Sequence, residues 1–370
     1  MSNELQHRAR NLLLRFGWNS TCFQILNPGI SLWFSSDGQA VIGYVLRKGV
    51  RVVAGAPVCA ESELPGVIRE WELDAASAGQ RVCYFGAESR IQRLLESAPG
   101  YTTVTLGAQP SWNPQHWPGI FDADKNLRAQ RSRALHKGVE VEEWACDRAM
   151  NNPQLRTCLH EWLTTRGLPP MHFLVEPETL ECLEERRIFV ALQRGEVVGF
   201  LVLSPIPQRA GWLTEQFPRS LKAPNGTVEI LMDTAIRAIA VTGAEYVTMG
   251  IIPLSRHGLP TGDSNPKWLR LTLSWVRAHG RRFYNFDGLD RFKLKFRPEY
   301  WEPICVISKE PSFSLRSLYA IAAAFSDGTP AGSVSRGLMK AARREAKWLF
   351  DRSRPKLGPP PPRTAPSPKA

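Results

Sequence analysis

The sequence predicts an α/β protein built from two consecutive mixed α/β units of about 140 residues each. Segments of alternating apolar residues, typical of strands, interchange with segments of helical periodicity, and this order occurs twice along the chain. The 370 residues exceed the usual size of one domain, and an apolar content of 43% is enough for a sizeable core. These observations exclude a wholly disordered or fibrous chain.

The first half alternates strands and helices. Its strands are predicted at 39–46, 51–55, 82–86, 101–106 and 139–144, and its helices at 65–78, 89–97 and 126–137. Lys48-Gly49 supplies a turn between the first two strands. Gly138 ends the basic third helix, since glycine is the preferred residue just beyond a helix.

The second half repeats this alternation after a join near 145–153. Its helices are predicted at 153–165, 177–187, 227–241 and 267–278, and its strands at 188–193, 197–204, 210–216 and 246–249. Arg194-Gly195 supplies the turn of a hairpin between the first two strands.

The composition changes after residue 307. Residues 311–370 hold eleven Lys or Arg and three Asp or Glu, which is most of the net charge of +12. A short apolar helix is predicted at 314–325 and a basic amphipathic helix at 333–352, followed by a Pro-rich, disordered end. We therefore expect two domains at 1–148 and 149–310, a basic helical extension at 311–352 and a tail at 353–370.

Missing patterns bear on several function classes. The chain has no P-loop and no Gly-x-Ser-x-Gly elbow, and the absence of the Gly-rich turn expected of a simple acyl-CoA transferase counts against that class without excluding it. Seven cysteines without a CxxC spacing indicate reduced thiols, and no metal-ligand pattern is visible, so we expect no metal and no cofactor. No run of about 20 apolar residues and no signal peptide occurs, which favours a cytoplasmic protein. The basic balance favours a polyanionic partner, either nucleic acid or an anionic membrane.

The helix at 227–241 carries the first candidate site. Thr227 is a candidate cap, and Glu229 and Asp233 lie four residues apart on one helix face. Two acids at this spacing repel each other, which indicates a use such as binding an amino group or sharing a proton. The alternative is structural: Glu229 favours the helix dipole and Asp233 pairs with Arg237.

The segment 281–303 carries the second candidate site, because aromatic and cationic residues alternate in it. We predict a strand at 291–297 with an apolar inner face and a row of cations outside: Arg291, Lys293, Lys295 and Arg297. Such a row is a ready phosphate-binding surface. The alternative is a strand face that is merely solvated.

Three motifs in order resemble the C-terminal catalytic domain of the phosphatidylglycerol lysyltransferase family, the aminoacyl-phosphatidylglycerol synthases. They are Gly226-Thr-Val-Glu229 with Asp233, then Met249-Gly-Ile-Ile-Pro-Leu-Ser255, then Phe283-Tyr-Asn-Phe-Asp-Gly288-Leu289 with Phe292-Lys-Leu-Lys-Phe296 and Trp301-Glu-Pro303. Weaker similarities lie upstream, at Ala54-Gly-Ala-Pro57, Tyr84-Phe-Gly86 and Lys125-Asn-Leu-Arg128 with Arg131. The resemblance covers about residues 22–307.

The resemblance implies tandem acetyltransferase-like (GNAT) domains that move an amino acid from aminoacyl-tRNA to a lipid hydroxyl, most often that of phosphatidylglycerol. The two substrates would reach the site from opposite ends of a tunnel between the domains. No metal, CoA or ATP is needed, because the aminoacyl ester is already activated. We expect catalytic roles for Glu229, Asp233 and Lys293, and substrate binding by a further set: Asn285, Arg291, Lys295, Arg297 and Arg237.

The sequence departs from the family pattern at two positions near these residues. The family's helix has an Arg three residues after the Asp, where this chain has Ile236 and places Arg237 one position later. The family's Lys-Glu-Lys triplet is Lys293-Leu294-Lys295 here. The identity of the transferred amino acid therefore stays open. The family's multi-span flippase domain is also missing upstream, so we expect lipid modification without flipping.

The extension at 311–352 indicates attachment to an anionic membrane from the cytoplasmic side. Apolar residues accompany its basic residues, as in an interfacial helix. The basic residues are Arg336, Lys340, Arg343, Arg344 and Lys347. A helix packed on the body, or one that contacts tRNA, is the alternative. We expect no DNA partner. Three other functions stay open, namely the same chemistry on another acceptor, a non-catalytic module that binds tRNA or anionic lipid, and a conventional acyl-CoA transferase.

Overall fold

A computed structural model describes residues 3–96, 98–165, 172–176, 178–255, 257, 265–279 and 285–326. These residues form a mixed sheet of twelve strands flanked by eleven α-helices. The strands are β1 (Ser31–Phe34), β2 (Val41–Arg47), β3 (Val50–Ala54), β4 (Arg81–Ala87), β5 (Thr102–Trp112), β6 (Val139–Trp144), β7 (Arg187–Gln193), β8 (Glu196–Ile206), β9 (Gly211–Thr214), β10 (Tyr246–Thr248), β11 (Ile252–Pro253) and β12 (Tyr300–Ser308). The helices are α1 (Asn3–Phe16), α2 (Leu64–Ser77), α3 (Ser89–Leu95), α4 (Trp117–Ala123), α5 (Lys125–His136), α6 (Cys146–Ala149), α7 (Pro153–Thr165), α8 (Thr227–Val241), α9 (Lys267–His279), α10 (Phe286–Leu294) and α11 (Leu315–Ala324).

The sheet repeats one order of elements in its two halves. In the first half, β1, β2 and β3 are antiparallel, and α2 leads into β4, which is parallel to β3. In the second half, β7, β8 and β9 are antiparallel, and α8 leads into β10, which is parallel to β9. The predicted α/β class, with a mixed sheet and flanking helices, is confirmed. The repeated order supports tandem units, and the domain boundaries stay a prediction.

The two halves meet at β5, which runs through the middle of the sheet. One edge of β5 pairs with β12, and the other pairs with β10 and β11. β12 also pairs with β4, so the last strand in sequence lies between two strands of the first half. This arrangement gives one continuous sheet.

Strong local signals produced correct predictions. Helix α8 buries an apolar stripe that includes Leu231, Ala235 and Ile239, as its helical period predicts. The β7–β8 hairpin turns at Arg194 and Gly195, whose φ angles of 54° and 78° are left-handed, as a two-residue hairpin turn requires.

Two predicted elements are wrong. Residues 178–186 form turns instead of a helix, because Cys182 and Glu185 have left-handed φ angles of 53° and 65° that a right-handed helix does not accommodate. The predicted strand at 291–297 is largely the helix α10, which the Asn285 side chain caps by accepting from the Gly288 backbone N–H at 2.9 Å. The helix at 333–352 and the tail at 353–370 lie outside the described residues.

Candidate active site at the meeting of three motifs

Lys293, on α10, is the cation that lies deepest in the candidate site. Its side chain is buried, and its Nζ donates to three successive backbone carbonyl oxygens: Met249 at 2.6 Å, Gly250 at 2.9 Å and Ile251 at 3.3 Å. These carbonyls belong to the segment between β10 and β11, where Gly250 adopts a left-handed φ of 70°. The second and third motifs therefore meet at one amino group.

Burial lowers the pKa of Lys293 from its ordinary value of 10.5 to about 7, although the nearby Asp290 carboxylate acts in the opposite direction. The side chain of Asp290 is itself held by Arg277 of α9, at 3.0 Å. An amino group with a pKa near neutrality is able both to accept and to donate a proton at physiological pH. This property makes Lys293 the strongest candidate for acid–base chemistry in the described residues.

Glu229 and Lys295 join the first motif to the third. The Lys295 Nζ lies 2.8 Å from the Glu229 Oε1, which links the first turn of α8 to the end of α10. The same Nζ lies over the Phe292 and Phe296 rings, at 4.3 and 4.8 Å from their centroids. Glu229 is nearly buried, so its carboxylate is a defined acceptor for a cationic group.

Asp233 lies on the same helix but has a different set of partners. It accepts from the Trp117 Nε1 at 3.0 Å and forms ion pairs with the Arg237 Nε at 2.7 Å and the Arg131 Nη1 at 3.1 Å. Arg237 also pairs with Asp122, at 2.9 Å. The structural alternative for Asp233 and Arg237 matches this geometry, because the pair binds α8 to α4 and α5.

The start of α8 is set by Gly226 and not by the predicted Thr227 cap. Gly226 is the capping residue, with a left-handed φ of 98°, and the Thr227 hydroxyl donates to the Pro224 carbonyl instead. A Cβ at position 226 would lie 2.0 Å from the Gln130 carbonyl oxygen of α5. Glycine is therefore required where α8 begins against the basic helix α5.

The predicted row of four exposed cations is wrong, because α10 distributes them over different environments. Lys293 is buried and Lys295 pairs with Glu229, whereas Arg291 is exposed and donates to the Asp287 carbonyl at 3.2 Å. Arg297, after the helix, pairs with Asp124 at 2.9 Å.

Asn285, predicted to shape a substrate pocket, caps α10 with its side chain. It supports the helix that carries Lys293.

A buried polar cluster around Arg209 includes no residue that the sequence predicts as functional. Arg209 pairs with Glu88 at 3.1 Å and with Glu302 at 2.6 Å, and Glu302 also accepts from Tyr246 at 2.5 Å and from Gln109 at 2.8 Å. Burial raises the pKa of Glu88, while the hydrogen bond from Arg209 lowers the pKa of Glu302 against the effect of burial.

Sequence motifs lie at or beside some residues of this cluster and not others. Glu302 belongs to the Trp-Glu-Pro motif, and a pocket beside Glu88 is lined by Ala56 and Pro57 of the upstream Ala-Gly-Ala-Pro similarity. Nothing local marked Arg209, which lies in the short turn after β8.

Two further properties concern only the described part of the chain. There, no group of three or more His, Cys, Asp or Glu side chains is placed to hold a metal ion. None of the helices found there combines the length and the apolar character needed to cross a bilayer.

Comparisons with known proteins place the chain in context. Among curated relatives, the phosphatidylglycerol lysyltransferase of Bacillus subtilis (strain 168) is 24% identical over 76% of this chain and 33% of its own length. The lysylphosphatidylglycerol biosynthesis bifunctional protein LysX of Mycolicibacterium gilvum (strain PYR-GCK) is 22% identical over 82% of this chain and 28% of its own length. The chain thus spans no more than about a third of these relatives.

Solved structures share the fold. The C-terminal DUF2156 domain from Agrobacterium fabrum has a TM-score of 0.73 at 21% identity, over 89% of this chain and 99% of that one. L-PGS from Bacillus licheniformis has a TM-score of 0.71 at 21% identity, over 86% of this chain and 95% of that one. FemX has a TM-score of 0.53 at 10% identity, over 85% of this chain and 98% of that one.

The family resemblance carried by the three motifs is confirmed, because most of the chain matches the sequence pattern of one protein family. Residues 10–307 match the family described as phosphatidylglycerol lysyltransferase, C-terminal. This match includes every residue of the candidate site described above. The chain therefore belongs to the phosphatidylglycerol lysyltransferase C-terminal family.

Proposed function

We propose that this protein transfers an amino acid from aminoacyl-tRNA to the hydroxyl group of a membrane lipid, with phosphatidylglycerol as the acceptor. Family membership and the names of the curated relatives support lipid aminoacylation. The observation that carries the proposal is the buried amino group of Lys293, which three carbonyls hold on the helix whose end carries Lys295, the partner of Glu229.

The reaction exchanges one ester for another. The lipid hydroxyl oxygen attacks the carbonyl carbon of the aminoacyl ester, and negative charge develops on the carbonyl oxygen. The bond to the ribose oxygen then breaks, and the proton lost by the lipid hydroxyl ends on that oxygen. Because the donor ester is already activated, the enzyme has to position the reactants, move one proton and stabilise the oxyanion.

Lys293 suits the last two tasks. In its neutral form the amine accepts the proton of the lipid hydroxyl, which its pKa of about 7 permits. The resulting ammonium group faces the oxyanion and then donates its proton to the ribose oxygen. Its longest hydrogen bond, at 3.3 Å to the Ile251 carbonyl, is the one we assign to exchange with substrate.

The remaining predicted residues divide into two groups. Glu229 binds the amino group of the donor amino acid, since its carboxylate already accepts from the Lys295 ammonium group. Lys295 and the exposed Arg291 bind phosphate groups. Asp233, Arg237, Arg297 and Asn285 position the helices, because each is engaged in the contacts described above.

The test is transfer of label into chloroform-extractable lipid. Purified protein receives total tRNA charged with mixed radioactive amino acids, together with phosphatidylglycerol liposomes, with and without RNase. RNase-sensitive labelled lipid is the expected result, and single amino acids then identify the donor. The absence of labelled lipid with several acceptor lipids, from folded protein, would reject lipid transfer in favour of another acceptor or a binding module.

A further inference from the structure

Helix α5 carries a concentrated positive charge. From 125 to 137 the chain has five Lys or Arg and no Asp or Glu. Leu127 and Ala134 are buried, so one side of the helix packs against the core and the other sides face solvent. Four of the five cations are exposed, namely Lys125, Arg128, Arg133 and Lys137.

The two acidic residues just before α5 do not cancel this charge, because both are already paired. Asp124 accepts from two backbone N–H groups at the start of α5 and pairs with Arg297 at 2.9 Å. Asp122 pairs with Arg237 at 2.9 Å. The exposed sides of α5 are therefore a surface of one sign, which matches a polyanion.

α5 is in direct contact with the elements that carry the candidate site. Its Gln130 carbonyl packs against Gly226, the residue that caps α8, and Glu229 lies in the first turn of that helix. The Arg297–Asp124 pair holds the N-terminal end of α5 to the residues that follow α10. A ligand bound along α5 therefore lies beside the helices that bring the first and third motifs together.

We propose that α5 binds the RNA backbone of the aminoacyl-tRNA donor, with phosphate groups contacting Lys125, Arg128 and Arg133. At 1.5 Å per residue, Lys125 and Arg133 are about 12 Å apart along the helix, so they contact different phosphates. Between them the outer side carries Ala129 and Ser132, whose small side chains let RNA approach the helix closely. The inference rests on the proposed function, which supplies the donor, and it adds the surface on which that donor lies.

RNA fits this helix better than an anionic bilayer does. An interfacial helix inserts a broad apolar face among the lipid headgroups. α5 exposes one large apolar side chain, Leu135, which is 49% exposed. Its other exposed residues are charged, polar or alanine. This surface suits contact with phosphate groups without insertion into an apolar layer.

Binding of fluorescein-labelled total tRNA to the full chain, followed by fluorescence anisotropy, tests the surface. K125A/R133A is expected to bind at least about 10-fold more weakly, and the slope of log K against log[KCl] should fall by about 2, since two phosphate contacts are lost. Alanine favours helix formation, so the fold is retained. The matched control R69A/R93A removes exposed cations from α2 and α3 and leaves affinity and slope unchanged.

Transfer assays add a readout that a merely structural defect would not give. With aminoacyl-tRNA as donor, K125A/R133A should raise the Michaelis constant about 10-fold and keep kcat within about twofold of the wild type. With an aminoacyl ester of adenosine, which lacks the RNA helix, the variant and the wild type should react equally. An equal loss with both donors would overturn the assignment of α5.

The same experiments separate this inference from the proposed function. If the wild type transfers nothing to lipid while tRNA binding still depends on Lys125 and Arg133, the proposed function fails and RNA binding by α5 stands. Equal tRNA binding by K125A/R133A and its control overturns RNA binding by α5. If K125A/R133A keeps tRNA binding and loses co-sedimentation with phosphatidylglycerol vesicles, the face serves a bilayer and the inference is also overturned.

Discussion

Glu229 and Lys295 form an ion pair of 2.8 Å between residues 66 positions apart in the chain. The pair ties the first turn of α8 to the end of α10, and two aromatic rings beneath the Lys295 ammonium group fix its position. Lys293 lies two residues earlier on α10, so the pair holds the end of the helix that carries the buried amine. The geometry of the candidate site thus depends on the contact of two helices.

Replacing Lys293 by methionine is expected to abolish most turnover while leaving the fold intact. Methionine keeps the apolar stem and removes the group that handles the proton and the oxyanion, so the transfer rate should fall about 10²- to 10³-fold. Initial rates of lipid labelling measure the effect, with K222A, at an exposed lysine, as the control. Full turnover by K293M would exclude the assigned role.

The pH dependence of stability reports the state of the same amine. The pKa of Lys293 is lowered by burial from 10.5 to about 7 in the folded chain. Between these values the unfolded chain binds more protons at this residue, so its contribution to the free energy of unfolding rises with pH, by at most about 1.4 kcal/mol per pH unit. Urea unfolding from pH 6.5 to 9.5 measures the free energy of unfolding of the wild type and of K293M. The wild-type value minus the K293M value should rise with pH, whereas a constant difference would contradict the prediction.

Replacing Glu229 by glutamine should impair substrate use more than stability. The pair with Lys295 is partly exposed, so its loss should cost only about 1 kcal/mol of unfolding free energy. The Michaelis constant for aminoacyl-tRNA should rise, since the amide does not carry the charge that binds the donor amino group. A double-mutant cycle with K295M separates this effect from the ion pair itself.

Replacing Asp233 by alanine should impair stability more than substrate use. The substitution leaves the Arg237 and Arg131 cations and the Trp117 N–H without their shared acceptor, which should destabilise the fold by about 3 kcal/mol or more. Chemical denaturation measures the loss. Retained stability together with abolished turnover would return Asp233 to the catalytic role that the motif implies.

Replacing Arg209 by alanine should be among the most destabilising substitutions in the chain. It leaves the buried Glu88 carboxylate without its cation, which typically costs about 3–5 kcal/mol. The matched control is R148A, because Arg148 and Glu142 form an exposed pair whose loss should cost below about 1 kcal/mol. Thermal unfolding of both variants checks the contrast, and equal losses would refute it.

The elements that could be predicted are those with strong local signals. Helix α8 follows from its apolar period, and the β7–β8 turn follows from Arg194-Gly195. The alternating pattern of 291–297 fits a strand as well as a helix, and the Asn285 side chain caps the helix that forms there. In the helix, positions 290 and 293 share the buried side, which a period of two cannot produce.

The contacts of the candidate site residues could not be predicted from the sequence, and their functional roles stay predictions. Motif order identified Glu229, Lys293 and Lys295, whereas the acceptors of Lys293 are backbone carbonyls more than forty positions away and carry no signal in their side chains. Arg209 shows the same limit, because its partners Glu88 and Glu302 are 121 and 93 positions distant. Such contacts depend on how the sheet assembles.

The place of β12 has a consequence for synthesis on the ribosome. β12 fills the gap between β4 and β5, and its pairing of Ser308 with Thr102 joins residues about two hundred positions apart. When the first half leaves the ribosome, the edges of β4 and β5 that later pair with β12 are therefore still unpaired. They stay unpaired until the end of the third motif has been translated. We expect the nascent first half to need shielding from aggregation during this interval, and the sheet to close only when β12 inserts.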